Sequence, residues 1–214
     1  MAQTKKIIIT VFLALMASNT DLLWSKKSIE WFLPIKVDNR QSWEKVRLTS
    51  IGRFGIKRKA RPNIPAHLHT GVDLKRPNDN YVNEPIFPVA KGKVISLRDD
   101  GPYAQIIIEH ILEDSSLIWT VYEHVAGIKV RLGEFVNPYR PIARFMSRDE
   151  LEKYGWQFDH VHFEIMKVKP KPLNTDRKRP YRYYGTYSLE CYNRLDLKKR
   201  YYDPKKFFYL KWNQ

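Results

Sequence analysis

Two histidines late in the chain have the spacing of neighbouring groups in a chemical site. Residues 159–165 alternate polar and apolar side chains, a pattern typical of a β-strand. Side chains two residues apart on a strand lie on one face, so His160, His162 and Glu164 should share a face while the apolar residues between them reach a core. The two imidazoles would lie roughly 6.5 Å apart along the strand. This spacing suits a metal ligand beside a proton-transfer group, and the alternative is a solvated strand face.

Two earlier stretches also place histidine where it can take part in a site. Three residues separate His69 from Asp73, and Gly71 makes a continuous helix unfavourable there, so we expect a loop ending at His69 and a strand beginning at Val72. A histidine and an aspartate across such a bend can converge on one point, although Asp73 can equally cap a turn between exposed histidines. His124 follows an expected strand, where a hydrogen bond to the backbone is the alternative role.

Short strands separated by turn residues are predicted between these stretches. The candidates are residues 46–49, 72–74, 85–89, 92–97, 104–109 and 117–123, with a strand-turn-strand step at 130–136. This spacing indicates a mainly β protein, an antiparallel sandwich or barrel-like domain, and not alternating α/β units. Ser147 and Glu150 have the spacing of a capping box, and Gly155 is a suitable stop, so one short helix should precede the histidine strand.

The charge of the chain predicts an anionic partner. The formal net charge is +15 over 214 residues, which suits nucleic acid, a membrane surface or an acidic cell-wall polymer. From residue 167 to the end, fourteen Lys and Arg stand against four Asp and Glu, a net charge of +10. No helix-turn-helix, zinc-finger or RNP-type motif occurs there, so no nucleic acid is expected. Residues 169–200 are interpreted as a basic, Tyr-rich insertion, for which contact with a membrane surface is left open.

The N-terminus predicts export. Lys5 and Lys6 precede an apolar run over residues 7–17, the pattern of a signal peptide, which we place at 1–18 and follow with a connecting segment at 19–44. The run is short for a membrane span, and Asp21 argues against an uncleaved anchor extending through residues 22–24. The single cysteine, Cys191, excludes an intrachain disulfide framework and suits a bacterial envelope. We therefore expect a location in the periplasm, cell envelope or extracellular space.

Taken in order, the polar residues resemble the motifs of the lysostaphin/LytM-type zinc metalloendopeptidases. Members share His-X-X-X-Asp, then Tyr-X-His, then His-X-His-Phe-Glu, and this chain has them at 69–73, 122–124 and 160–164. Similar flanking stretches occur in the same order at 50–55, 84–92, 133–136 and 202–204. The resemblance covers residues 45–168 and 201–210. It implies a peptidase domain of the duplicated-hybrid-motif fold over residues 45–210.

The resemblance also implies a chemistry. One Zn²⁺ per chain would be held by His69, Asp73 and His162, leaving a position for water and lowering its pKa. His124 and His160 would be catalytic, one taking a proton and the other stabilising an oxyanion or protonating the leaving amine, with the assignment between them open. The two remaining histidines, His67 and His110, are interpreted as a loop residue and a strand end.

The implied function is hydrolysis of peptide bonds in the cross-links of bacterial peptidoglycan. The alternative is a non-catalytic relative that binds the cell wall or activates another hydrolase, and retention of all five polar positions favours the enzyme. Two departures from the family pattern affect the substrate groove. Tyr139 and Ala143 stand where members usually have glycine, and the longer stretch 145–158, with its helix, replaces a short glycine-rich loop. We expect these bulkier residues to narrow the groove or occlude it.

Overall fold

The computed structural model describes residues 29–213. Their regular structure consists mainly of β-strands. The strands are β1 (Lys57–Arg58), β2 (His67–Leu68), β3 (Val72–Lys75), β4 (Pro85–Ile86), β5 (Gly92–Arg98), β6 (Gln105–Ile111), β7 (Leu117–Glu123), β8 (Phe135–Val136), β9 (Ala143–Arg144), β10 (His160–Met166), β11 (Lys171–Pro172), β12 (Tyr184–Gly185) and β13 (Tyr201–Tyr202). The helices are α1 (Arg148–Tyr154), α2 (Arg194–Arg200) and α3 (Pro204–Trp212), with 3₁₀ turns at Gly101–Tyr103 and Trp156–Phe158. The expected mainly β, antiparallel fold class is confirmed.

Seven strands form one antiparallel sheet in which β10 is a central member. The order is β13-β10-β7-β6-β5-β8, and β3 pairs with β10 on the edge that β13 also occupies. Asp73 of β3 lies directly opposite His162 of β10, and Glu123 of β7 lies opposite the same histidine. The sheet therefore brings the three motif-bearing stretches, distant in sequence, into adjacent strands.

Both faces of β10 are buried, and two cores explain why. Val161, Phe163 and Ile165 belong to the main core, as the alternation predicts. Neighbouring strands direct other side chains, such as Ile107 and Val121, into a second core on the opposite face. The second core includes Cys191 and Leu197 of the 169–200 insertion, together with Leu68, Trp119, Met166 and Tyr201. The insertion therefore covers a face of the sheet and is more than a surface addition.

Residues 29–44, expected as part of a connecting segment, pack into the main core. Trp31, Leu33 and Ile35 are each at most 1% exposed. Ile35 forms a β-bridge with Ile86, and the backbone N–H of Phe32 donates to the carbonyl of Val89 at 2.8 Å. The predicted signal peptide at 1–18 lies outside the described residues.

Truncation of this segment's core side chains should destabilise the protein. Leu33→Ala removes a fully buried side chain and should lower the free energy of unfolding by about 2–5 kcal/mol, because it both loses apolar burial and leaves a cavity. Chemical denaturation followed by tryptophan fluorescence measures the change. Lys36→Ala, an exposed position three residues away, is the matched control and should change stability by under about 0.5 kcal/mol. Equal stability of Leu33→Ala and the control would contradict the packing described.

The helix prediction is confirmed at Arg148–Tyr154, while other local expectations need correction. Ser147 accepts from the Glu150 N–H and Glu150 accepts from the Ser147 N–H, which completes the capping box. Residues 46–49 do not form a strand and contribute only the single bridge Leu48↔Leu74. The step at 130–136 contains β8 alone.

Two unpredicted helices, α2 and α3, follow side-chain caps that the sequence displays. Asn193 accepts from the backbone N–H groups of Leu195 and Asp196, and Asp203 accepts from that of Lys205. Within residues 29–213, none of the helices has the length and apolar character needed to cross a membrane.

His110 is an interior structural histidine and gives the fold a specific pH dependence. Its Nδ1 lies 2.8 Å from the Lys91 carbonyl and its Nε2 lies 2.7 Å from Thr120 Oγ1. Burial lowers its pKa from 6.5 to about 4. Between those pH values the unfolded chain binds more protons than the native chain, so stability falls as the pH falls.

The expected loss from His110 reaches about 3 kcal/mol as the pH approaches 4. His110→Gln should remove this contribution, so its free energy of unfolding should fall less steeply between pH 7 and pH 4.5 than that of the wild type. Denaturant titrations at several pH values measure both slopes, and every other titrating group cancels in the comparison. Parallel slopes for the two proteins would contradict the buried, neutral histidine.

Candidate metal centre

Three side-chain atoms from separate parts of the chain meet at one buried point. His69 Nε2 lies 2.9 Å from His162 Nδ1, His162 Nδ1 lies 2.9 Å from Asp73 Oδ1, and Asp73 Oδ1 lies 3.0 Å from His69 Nε2. All three residues are buried. Two imidazole nitrogens and one carboxylate oxygen are a donor set that zinc takes, with a fourth position left open in catalytic sites.

The outer nitrogen of each imidazole is held by an acceptor, which fixes where the inner lone pair points. His69 Nδ1 lies 3.0 Å from the carbonyl oxygen of Arg53, and His162 Nε2 lies 3.0 Å from Glu164 Oε1. A carbonyl and a carboxylate only accept, so both outer nitrogens carry hydrogen. In the neutral imidazoles the lone pairs of His69 Nε2 and His162 Nδ1 therefore face each other and Asp73. This outer support is the arrangement typical of metal-ligating histidines.

Asp73 is oriented in the same way. Its Oδ2 accepts from Arg58 Nη2 at 2.6 Å and from Thr49 Oγ1 at 3.4 Å, which leaves Oδ1 for the shared point. Burial alone would raise the pKa of Asp73, but above all the hydrogen bond from His162 holds it well below its usual range. The carboxylate is therefore ionised at neutral pH, as a metal ligand must be.

Two glycines allow the backbones around Asp73 to approach closely. A Cβ on Gly71 would lie 2.2 Å from the carbonyl oxygen of Phe163, so a side chain there would push β3 away from β10. A Cβ on Gly52 would lie 2.8 Å from Asp73 Cβ. The glycine between His69 and Asp73 thus serves strand packing, and it keeps both of these candidate ligands within reach of His162.

The protonation of His162 supports the fit of the site to a cation. Burial alone would lower its pKa, but hydrogen bonds to Asp73 and Glu164 outweigh that effect and raise the pKa to about 10. The two carboxylates therefore favour a positive charge, such as a proton, between His162 Nδ1 and Asp73 Oδ1. A positive charge at this point balances the two carboxylates of Asp73 and Glu164, and His69, Asp73 and His162 fit a divalent metal in the place of that proton.

Glu164 has a positioning role that the sequence reasoning did not assign. Its side chain is fully buried and also accepts a hydrogen bond from Thr70 Oγ1. The period-two pattern of β10 did place Glu164 on the face of His160 and His162, which was the available signal. Arg58 and Thr49 also went unassigned, because a basic run and a lone threonine carry no distinguishing pattern.

Glu164→Gln should weaken zinc binding without removing a ligand. The neutral amide holds the outer nitrogen of His162 less strongly, and loss of such support typically costs about 10–100-fold in metal affinity. Titration against a fluorescent zinc chelator measures the affinity. Glu190→Gln changes a carboxylate on the wall of the same cleft and should leave the affinity unchanged. Identical affinities for the two variants would exclude the positioning role.

The two predicted catalytic histidines lie beside the three ligand candidates and beside each other. The rings of His124 and His160 are 4.9 Å apart between centroids, and His160 Nε2 is 3.6 Å from Asp73 Oδ1. Burial lowers the pKa of His124, and burial likewise lowers that of His160, to about 3. Both imidazoles are therefore neutral at neutral pH and able to accept a proton.

The backbone and a carbonyl fix the orientation of His124. Its φ is 63°, a left-handed conformation that is costly for a non-glycine residue and that directs the ring from the end of β7 towards the site. Its Nδ1 lies 2.6 Å from the carbonyl of Pro102, so Nδ1 carries hydrogen and Nε2 has the lone pair. His160 differs, because its buried Nδ1 has no hydrogen-bond partner among the described residues.

The site opens into a cleft of about 1380 Å³. The approach segment 145–159 forms one wall with Trp156, Gln157 and Phe158. It is anchored by Arg76, which forms an ion pair with Asp159 at 2.8 Å, and Phe158 packs on His124 at 4.9 Å between ring centroids.

The approach segment lines the cleft beside His160 and His162, which are each 9% exposed. His67, predicted as a loop residue, instead begins β2 and is buried while still lining the cleft. His110 lies in β6, one residue before its end, as expected.

Comparisons with known proteins find similar solved structures. The chain is similar in structure to a zinc-containing peptidase from Vibrio cholerae, with 25% identity, 64% of this chain and 37% of that chain covered, and a TM-score of 0.44. It is similar to the catalytic domain of lysostaphin from Staphylococcus simulans, with 20% identity and a TM-score of 0.40. The match covers 66% of this chain and 80% of that domain. It is also similar to the catalytic domain of the prophage-encoded M23 protein EnpA from Enterococcus faecalis, with 20% identity and a TM-score of 0.41. The match covers 72% of this chain and 94% of that domain.

The family assignment rests on the sequence match. The chain spans little more than a third of the Vibrio cholerae structure, and no curated protein matches it significantly. The family model of peptidase family M23 matches residues 67–175, just over half of the chain and the part that contains all five polar positions of the site. The chain belongs to peptidase family M23.

Proposed function

We propose that the protein is an exported zinc-dependent endopeptidase that hydrolyses peptide bonds in the cross-links of bacterial peptidoglycan. The single observation that carries the proposal is the convergence of His69 Nε2, Asp73 Oδ1 and His162 Nδ1, with each outer atom held by another group. Two neutral histidines at the same point supply the proton transfer that peptide hydrolysis needs. Membership of a peptidase family supports the reaction class.

The geometry of the site separates the residues that would bind the metal from those that would transfer protons. Zinc, when bound to His69, Asp73 and His162, would supply Lewis acidity for the attacking water and for the carbonyl under attack. The fixed tautomer of His124 leaves its Nε2 free to take a proton. The ring centroid of His160 lies 4.9 Å from that of His124, and His160 Nδ1 also has no hydrogen-bond partner among the described residues. One imidazole removes the proton from water, and the other stabilises the oxyanion or protonates the leaving amine.

Charge supports peptidoglycan as the substrate. The net charge of +15 suits an anionic cell wall. The cleft itself is lined by ten Lys and Arg residues against five Asp and Glu, so an anionic chain entering it meets a positive surface. Export to the periplasm or cell envelope is part of the proposal and rests on the sequence of residues 1–18.

A zymogram on purified cell walls tests the proposal. The zinc-loaded protein should clear the walls, a chelator should abolish the clearing, and added zinc should restore it. No clearing by the zinc-loaded protein would favour the non-catalytic alternative, in which the domain binds the wall or activates another hydrolase. Clearing that persists in the chelator would contradict the assigned metal centre.

A further inference from the structure

The 169–200 insertion supplies a wall of the cleft, and this wall holds an arginine without a partner. Lys171, Arg182, Thr186 and Ser188 are among the insertion residues that line the cleft. The Arg182 side chain makes no hydrogen bond and no ion pair with any residue in the range 29–213, and its Nε is buried. Buried polar atoms are nearly always satisfied, so the Nε of this half-buried side chain is a donor available to a ligand in the cleft.

The neighbouring carboxylates already have partners of their own. Asp100 accepts from Arg98 at 2.9 Å and from Arg179 at 2.7 and 2.8 Å, which occupies both of its oxygens. Glu123 Oε2 accepts from the side-chain amide of Gln105 at 2.6 Å. Arg182 therefore stands in a cluster of three arginines in which both oxygens of Asp100 are already engaged, while Glu123 is held by a neutral amide.

Electrostatics around Arg182 favour a bound anion. Burial lowers the pKa of its guanidinium, Arg98 and Arg179 lower it further, and Glu123 and Asp100 offset only part of this lowering. A negative ligand would relieve both effects. Guanidinium groups bind carboxylates through two parallel hydrogen bonds, so a carboxylate fits better than a neutral group.

The backbone around Arg182 is held rigidly on the main sheet. The N–H of Leu97 donates to the carbonyl of Tyr181 at 2.9 Å. Ser96 Oγ exchanges hydrogen bonds with the backbone of Tyr184 at 3.0 and 3.1 Å. These contacts flank Arg182 on both sides and fasten it to β5, so the wall is a positioned element rather than a loose loop.

The cluster lies at the His124 end of the cleft. The Arg98 guanidinium is 5.6 Å from the centre of the Tyr103 ring, and that ring is 5.7 Å from the ring of His124. Arg98, Tyr103, Glu123, His124 and Arg182 all line the same cleft. A peptide that crosses the metal centre and continues past His124 along the cleft therefore meets Arg98 and Arg182.

We propose that Arg182, supported by Arg98, is a specificity subsite that binds a free carboxylate of the substrate peptide close to the scissile bond. The inference rests on the proposed peptidase function and adds a requirement to it. Substrates should be acidic peptides, and conversion of their carboxylates to carboxamides should weaken their recognition. The subsite is built from the insertion, so the insertion contributes to substrate choice as well as to packing.

Soluble peptide fragments released from cell walls by a glycan-cleaving enzyme provide the probe. One batch keeps its carboxylates, and a second has them converted to carboxamides with carbodiimide and ammonia. Binding of fluorescently labelled fragments to the purified full chain is measured by anisotropy, and cleavage is measured separately as new amino groups. The variants are Arg182→Gln, Arg182→Lys and the control Arg177→Gln, which removes the same charge from an exposed position of the insertion.

Arg182→Gln should weaken binding of the carboxylate fragments roughly tenfold or more, and Arg182→Lys should recover part of the loss. Arg177→Gln should bind as the wild type does, and the carboxamide fragments should bind wild type and Arg182→Gln equally weakly. The subsite would be overturned if Arg182→Gln weakened the binding of carboxylate and carboxamide fragments equally. It would also be overturned if the wild type bound both kinds of fragment with equal affinity. If the protein binds carboxylate fragments more tightly than carboxamide fragments but cleaves neither, the subsite is retained and the peptidase function is rejected. If it cleaves the fragments but binds both batches equally, the peptidase function is retained and the subsite is rejected.

Discussion

Replacing Asp73 by asparagine should leave the purified protein without retained zinc and without peptidase activity. The change keeps the shape of the side chain and removes the charge that both His69 and His162 face at 2.9–3.0 Å. Loss of a group that merely supports a ligand costs about 10–100-fold in metal affinity, and loss of the ligand itself should cost more. Zinc content after dialysis and cell-wall digestion are the two measurements.

Asp79→Asn provides the matched control for this experiment. Asp79 also lines the cleft, six residues along the chain, and its replacement should leave zinc content and digestion at wild-type levels. Thermal unfolding of Asp73→Asn shows whether the fold survives the loss of the Arg58 ion pair. A folded Asp73→Asn protein that retains one zinc per chain would show that the metal, if it binds, lies elsewhere.

Replacing His160 by alanine should have the opposite combination of effects, retaining the metal and losing the activity. His160 is not a member of the three-atom cluster, so zinc content should stay near one per chain. The rate of peptide release should fall about 10²–10⁴-fold, the usual contribution of a positioned proton-transfer group. Measurement of zinc content and of digestion rate on the same sample separates the two roles.

His124→Ala tests the second histidine and His67→Ala serves as the control for both. His124→Ala should behave as His160→Ala does, because each is a neutral imidazole beside the cluster. His67 also lines the cleft, with its Nδ1 2.8 Å from the Pro65 carbonyl, and its loss should leave the rate within a few-fold. Loss of zinc from the His160→Ala protein would indicate that His160 is a metal ligand. Full activity of the His160→Ala protein would contradict its role in proton transfer.

Much of the site could be predicted because Asp73, His160 and His162 lie on regular strands. The period of two in β10 separates Phe163, which enters the core, from His162, which faces Asp73. The capping-box spacing of Ser147 and Glu150 similarly identified α1 with its observed bounds. In both cases the local pattern and the tertiary packing favour the same conformation.

Other features depend on contacts that no local pattern records. Trp31 and Leu33 belong to a segment interpreted as a connection whose aromatic and apolar residues could dock on the domain, and their place in the main core depends on the apolar surface that the sheet leaves for them. The carbonyl of Arg53, which fixes the tautomer of His69, is a backbone atom and has no sequence signal. Likewise, the lack of a partner for Arg182 Nε among residues 29–213 depends on how the insertion pairs with β5.

New amino groups in digests of purified cell walls test the central claim most directly. Wild-type protein carrying one zinc per chain should release peptides with newly exposed amino groups, detected by mass spectrometry, and the metal-free protein should release none until zinc is restored. Asp73→Asn should release none under either condition. Digests without new amino groups from the zinc-loaded wild type, or equal release by Asp73→Asn, would contradict a zinc peptidase centred on His69, Asp73 and His162.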